Sequence, residues 1–158
     1  MPKRALTWSE LEREAPEFAA AGRKLLYQLG PGAPALAMLA TSRADGGPRV
    51  HPVCPTLCEE GLYLFVIGHS PKRADLARDG RYALHAFPGM TDDESFYCTG
   101  PASEIRDPAL RTRAESQVVH RVKPDEVLFE LRLERILHTV WLRPRTPDTE
   151  PVYARWRA

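Results

Sequence analysis

The sequence predicts a mainly β protein: six antiparallel strands rolled into a barrel, with a few helices at its flanks. Two observations carry this. Short apolar runs rich in β-branched and aromatic residues alternate with Pro/Gly punctuation, and most are joined by tight turns rather than crossover helices. The last run also changes phase partway, near Arg135–Ile136, as a strand does at a bulge or a barrel corner.

Helices come first. Thr7 and Glu10 have capping-box spacing, which predicts a short first helix. Pro16 opens a second, whose Phe18, Leu25, Leu26 and Leu29 recur at helical intervals. Gly30-Pro31-Gly32-Ala33-Pro34 stops it. The period then becomes that of strands. Residues 35–41 form the first, and the turn Asp45-Gly46-Gly47-Pro48 leads into a second over 49–55. Pro52 and Pro55 cannot donate to a ladder, so this second strand is expected at an edge or against a ligand. Glu59-Glu60-Gly61 turns into a third strand, 62–67, followed by a helix from Ser70 to Asp79-Gly80. Strands four and five fall at 81–87 and 96–105, joined by the acidic loop from Met90 to Ser95. Asp107-Pro108 reads as an N-cap followed by proline at the first helical position, so residues 108–119 are expected to be helical. The last strand spans 127–141.

Composition narrows the function. The chain has 158 residues, 43% hydrophobic and 27% charged, which is enough for one core without a metal or disulfide staple. Lys plus Arg number 22 against 21 Asp plus Glu, so net charge offers no basis for general binding to nucleic acid or membrane surfaces. The apolar runs are too short to span a bilayer, and no apolar signal core follows Met1-Pro2-Lys3-Arg4; a cytoplasmic location is expected. Cys54, Cys58 and Cys98 are an odd set, which argues against a disulfide framework. No second Cys/His pair at zinc spacing follows Cys54 and Cys58, and no metal site is expected. Hydrolase, Walker-type and Rossmann motifs are absent.

The chemistry-bearing segment is Ser70-Pro71-Lys72-Arg73. Serine caps a helix well and proline suits its first position. Two cations in the first turn oppose the helix dipole, unless an anion shares the site. A strand, a capped turn and basic residues make a phosphate cradle. The alternative is a solvated helix start whose charges Asp75 offsets.

These pieces together are similar to a known family. Two strands joined by a Gly-rich turn lead to a strand ending in Ser70-Pro71-Lys72. Ala74-Asp75-Leu76, Arg78-Asp79-Gly80-Arg81 and an apolar strand ending in Phe87-Pro88 follow. This resembles the pyridoxamine 5′-phosphate oxidase-like proteins, the FMN-binding split β-barrel superfamily. The resemblance spans residues 35–141 and is most specific over 61–88. It implies a split barrel over residues 31–158, with the helical segment 1–30 packed on it, and a homodimer with FMN at the subunit interface. Ser70 and Lys72 map onto the phosphate site, Arg73 is a further contact, and Arg49 is the basic candidate on the second strand. Val50, His51 and Pro52, with Phe65, Val66 and Ile67, would line the isoalloxazine. The flavin performs the redox chemistry, and the protein positions it.

Two departures limit the implied activity. The chain's end, Pro151 to Ala158, does not reproduce the C-terminal Arg-rich motif that grips substrate phosphate in true pyridoxamine 5′-phosphate oxidases. Cys54 or Pro55 stands where that family places a lysine late on the second strand. The expectation is therefore an FMN-dependent oxidoreductase acting on another small molecule, with no catalytic residue named. The alternative is a non-catalytic or weakly catalytic module of the same fold holding flavin, deazaflavin or haem.

Other candidates weigh less. His51 could donate to a flavin carbonyl or pack as an ordinary strand residue, and His69 could reach phosphate or solvent. His85, His120 and His138 are widely spaced; one could ligate haem axially. Asp92-Asp93-Glu94 reads as a solvated loop. Tyr97, Cys98 and Thr99 lie on the strand expected at the interface, and Trp141 and Trp156 could stack on a ring or pack in the core.

Overall fold

The protein is seen here in a computed structural model that describes residues 4–86 and 93–158. Helix α1 (Trp8–Glu14) begins at the expected capping box: Thr7 Oγ1 accepts from the Glu10 amide at 3.3 Å, and Glu10 accepts from the Thr7 amide at 2.7 Å. Helix α2 (Pro16–Leu26) starts on its proline and buries Phe18, Leu25 and Leu26. Gly22 is the close-packing point of α2. A Cβ there would come within 3 Å of the Phe96 and Trp8 rings.

The strands are β1 (Ala37–Ser42), β2 (Pro48–Val53), β3 (Thr56–Cys58), β4 (Gly61–Ile67), β5 (Arg81–Ala86), β6 (Glu94–Ile105), β7 (Glu126–Leu131), β8 (Arg135–Leu142) and β9 (Glu150–Arg157). Helix α3 (Pro71–Asp79) follows β4, and α4 (Pro108–Glu115) follows β6. The sheet runs β2-β1-β5-β6-β7-β4-β3, with β8 on β6 and β9 on β8, and every pairing is antiparallel. It is a curled, mostly β architecture, as expected.

Among the described residues nine strands replace the predicted six. The second run ends at Val53 as β2, and a short β3 that was not expected follows Pro55. The phase slip in the last run is a real break at 132–134, between β7 and β8. Both strands lie along the same neighbour: β8 pairs with the first half of β6 and β7 with its end. Strand β9 was not expected, because nearly all of its side chains stay exposed and leave no apolar alternation to read. Helix α4 ends at Glu115, four residues short of the expected 119. Glu94 and Ser95, expected in a loop, begin β6; Phe87, Pro88, Met90 and Asp92 lie outside the described residues.

One core joins helices and sheet. Trp8, Leu11, Phe18, Leu25 and Leu26 pack with Leu39, Leu64, Val66, Leu84, Phe96 and Phe129. A second cluster lies under α4, where Ala114 meets Tyr63, Phe65 and Leu128. Strand β4 is therefore buried on both faces: Leu62, Leu64 and Val66 point into one cluster, Tyr63 and Phe65 into the other.

Candidate functional site

The start of α3 is built as its sequence predicts. The Ser70 amide donates to the Ile67 carbonyl at 3.0 Å, closing the turn out of β4. Ser70 is the N-cap, and its hydroxyl accepts from the Arg73 amide at 3.4 Å. Gly68 lets this turn pass close to the Asp125 carbonyl, where a Cβ would collide with it.

Cations outnumber their local partners here. Lys72 is half-buried and forms no ion pair among the described residues. Arg73 reaches Glu104 at 3.6 Å, and Arg106 shares that carboxylate. The Nε of Arg73 is buried with no hydrogen-bond partner. An orphaned buried donor next to an unpaired lysine, at a capped helix start, fits an anionic group.

Asp75, one turn further along α3, gathers the other elements. It is 4% exposed. It accepts from Thr41 of β1 at 2.8 Å, from Arg49 Nε of β2 at 2.7 Å, and from Arg78 at 3.4 Å. Burial pushes its pKa up, but the Arg49 and Thr41 hydrogen bonds outweigh that and hold it below the usual carboxylate range. The sequence reading gave Asp75 a local charge-offsetting role; the structure makes it a bridge across the sheet.

Strand register sorts the remaining predicted residues. Arg49, His51 and Val53 stand opposite Thr41, Leu39 and Ala37, on the core side of the sheet. Val50 and Pro52 stand opposite Ala40 and Met38, on the outer side, and Val50 is 55% exposed. Of the three residues proposed from β4, Ile67 alone has an exposed side chain. The other two are buried. Val66 lies in the main core, and the Phe65 ring is covered by α4, with the Arg111 guanidinium 5.2 Å from its centre. Neither side chain is free to cover a ligand ring. What β4 does offer is an edge: β3 stops opposite Tyr63, leaving residues 64–67 paired only to β7. Among the described residues strand β2 pairs only with β1, so it is an edge there, as expected from its prolines.

The outer face of the sheet holds residues that the sequence reading missed. Across the register run Val50, Ala40, Ala83, Thr99, Arg135 and Arg157; beside them run Pro52, Met38, His85, Tyr97, Leu137 and Arg155. Arg135, Arg155 and Arg157 form no ion pair among the described residues, and Arg135 stands directly opposite Arg157. They rim a hollow of about 360 Å3 with Tyr97, Leu137 and Trp156. Like charges in opposing positions repel, so an anion between them is favoured. Each arginine is visible in the sequence. Their meeting depends on β9, which had no apolar pattern to announce it. A larger hollow of about 500 Å3, at the C-terminus of α2, contains none of the predicted site residues.

The histidines do not converge. His69 is 85% exposed beside Asp125, His85 Nδ1 bonds to the Ala86 carbonyl, His120 lies near Glu126, and His138 bonds to Glu94 at 3.0 Å. Among the described residues no group of three or more side chains could hold a metal ion. Asp93 and Glu94 are not merely solvated: Asp93 pairs with Arg145, and Glu94 ties Lys24 of α2 to His138 of β8. Trp156 packs against the core, and Tyr97 faces outward near His85.

A family model described as pyridoxamine 5′-phosphate oxidase matches residues 29–139. The chain belongs to that family. It is a pyridoxamine 5′-phosphate oxidase-like split-barrel protein, and solved structures show the same fold. A haem-binding protein from Mycobacterium smegmatis is 18% identical, with a TM-score of 0.60 over 84% of this chain. This chain spans only 57% of that protein's length. The haem storage protein HutZ from Vibrio cholerae is 18% identical, with a TM-score of 0.57 over 76% of this chain and 89% of its own. An F420 reductase is also 18% identical, with a TM-score of 0.56 over 72% of this chain and 94% of its own. No curated protein sequence matches significantly. No helix of the described residues is long and apolar enough to cross a membrane.

Proposed function

We propose that this split-barrel protein binds FMN and serves as a cytoplasmic oxidoreductase for a small organic molecule other than pyridoxamine 5′-phosphate. The observation that carries the reading is the surplus of cation at the start of α3: unpaired Lys72 and the orphaned Arg73 Nε beside the Ser70 cap. Ser70, Lys72, Arg73 and Arg49 take the phosphate, which needs cations and N–H donors. The isoalloxazine lies against Val50, His51 and Pro52 of β2 and the free edge of β4 at Val66 and Ile67. The bound flavin supplies electron transfer; the chain holds it and shields it. Residues 31–158 form the FMN-binding unit, with 1–30 packed on it, and two copies assemble with FMN at their interface. Arg135, Arg155 and Arg157 provide an anchor for an anionic substrate on the outer face.

A second reading has specific support in the structural neighbours, whose names include haem binding, haem storage and F420 reduction. In that reading the same groove holds haem or a deazaflavin without FMN chemistry.

Titrating the purified protein with FMN, haem and a deazaflavin separates the two. We expect FMN to bind and raise the melting temperature. Ser70→Ala combined with Lys72→Ala removes charge-assisted contacts, each worth about 1.5–3 kcal/mol, and should weaken FMN by at least about tenfold in a folded protein. Unchanged FMN affinity in that variant, or tight haem binding with no FMN binding, overturns the assignment.

A further inference from the structure

Arg49 is restrained before any ligand arrives. Its Nε donates to Asp75 at 2.7 Å, and its side chain remains 27% exposed. Asp75 is itself fixed by Thr41 at 2.8 Å and by Arg78, which also donates to the Ser42 carbonyl. A carboxylate that holds the Nε side of a guanidinium leaves the terminal nitrogens as a planar fork. No partner of Arg49 among the described residues occupies those nitrogens. The cluster of Arg49, Arg78 and Asp75 keeps one net positive charge.

We propose that Asp75 is a positioning residue that preorganises Arg49 for a phosphomonoester, and so sets the preference of the site for a phosphorylated flavin over its unphosphorylated form. This rests on the FMN reading above. Asp75 touches no ligand; it acts through Arg49. Ordering a free arginine side chain costs conformational entropy, and here the fold has ordered it already. Asp75 also links α3, which carries Ser70, Lys72 and Arg73, to the edge strand that carries Arg49. The two halves of the phosphate cradle are thereby held at one spacing.

The test compares dissociation constants for FMN and riboflavin in the full-length protein, for wild type, Asp75→Asn and Thr41→Val. Thr41→Val loosens Asp75 without changing charge and serves if Asp75→Asn does not fold. Wild type is expected to prefer FMN. Asp75→Asn should reduce that preference by about tenfold, which corresponds to about 1.4 kcal/mol, while riboflavin binding moves much less. Thr41→Val should shift it in the same direction by a smaller factor. A merely structural role would weaken both ligands in parallel, and that result overturns the proposal, as does an unchanged preference in the folded variants. A wild type that binds riboflavin as tightly as FMN overturns the phosphate reading itself.

Discussion

Gly100 sits at the corner of the barrel, and Gly100→Ala should break that corner. On one side of β6 the partner changes here, from β8 up to Thr99 to β7 from Ala102 onward, while β5 runs along the other side as far as Pro101. The break between β7 and β8 lies directly against this point. A Cβ on Gly100 would collide with the Arg132 carbonyl and press on the Glu134 amide. That same carbonyl accepts from the buried Tyr82 hydroxyl at 2.9 Å. Moving the 132–134 segment away also strains two backbone bonds that tie the break to β6, Arg132 N to Pro101 O at 3.0 Å and Glu134 N to Thr99 O at 2.8 Å. Two backbone hydrogen bonds at about 1 kcal/mol each, with a buried hydroxyl left unsatisfied at about 1–3 kcal/mol, give a loss of about 3–5 kcal/mol. For a chain of this size that lowers Tm by roughly 6–20 °C. Urea denaturation followed by tryptophan fluorescence measures it. Gly46→Ala is the control: its φ is +82° with nothing within 4 Å, so only the left-handed backbone term applies, about 1–2 kcal/mol. A Gly100→Ala protein within about 1 kcal/mol of wild type, a typical single hydrogen-bond contribution, would refute the corner argument.

Acid should loosen the bridge across α3. The folded pKa of Asp75 is lowered, so its stabilisation is complete above the ordinary carboxylate pKa and is lost as pH falls through the folded value. The stability gap between wild type and Asp75→Asn should therefore be widest near neutrality and shrink toward pH 3; paired urea titrations that show a constant gap would contradict it. Thiol reactivity should follow burial. Cys98 is fully buried with its pKa pushed up to about 12, Cys58 is buried, and Cys54 is half-buried. Ellman's reagent should modify Cys54 first and Cys98 only on unfolding, and rapid Cys98 labelling in the native protein would be inconsistent with this core.

Local signals carried most of the fold. The Thr7–Glu10 box, Pro16, the Asp45–Pro48 turn and the Ser70 cap each act within a few residues, so each could be read from spacing alone. The β7–β8 break was visible as a change of phase. The two faces of β4 were not separable: Leu62 to Ile67 is a continuous apolar run, and only the position of α4 decides that Phe65 is covered. Partners far apart in sequence were equally hidden. Thr41, Arg49 and Asp75 meet only after β1, β2 and α3 have docked, and Arg135 meets Arg157 only across a strand whose exposed side chains leave no pattern.

The prolines of β2 have a consequence for how this chain lives in a crowded solution. The hairpin bond from Arg43 N to Gly47 O fixes the parity of the ladder, so Arg49, His51 and Val53 bond toward β1 while Pro48, Val50 and Pro52 face outward. Two of those three outward positions have no N–H. The free edge therefore presents carbonyls with a single donor, at Val50, and cannot template another strand. The seam beside β2 stays open without inviting the edge-to-edge stacking that begins aggregation.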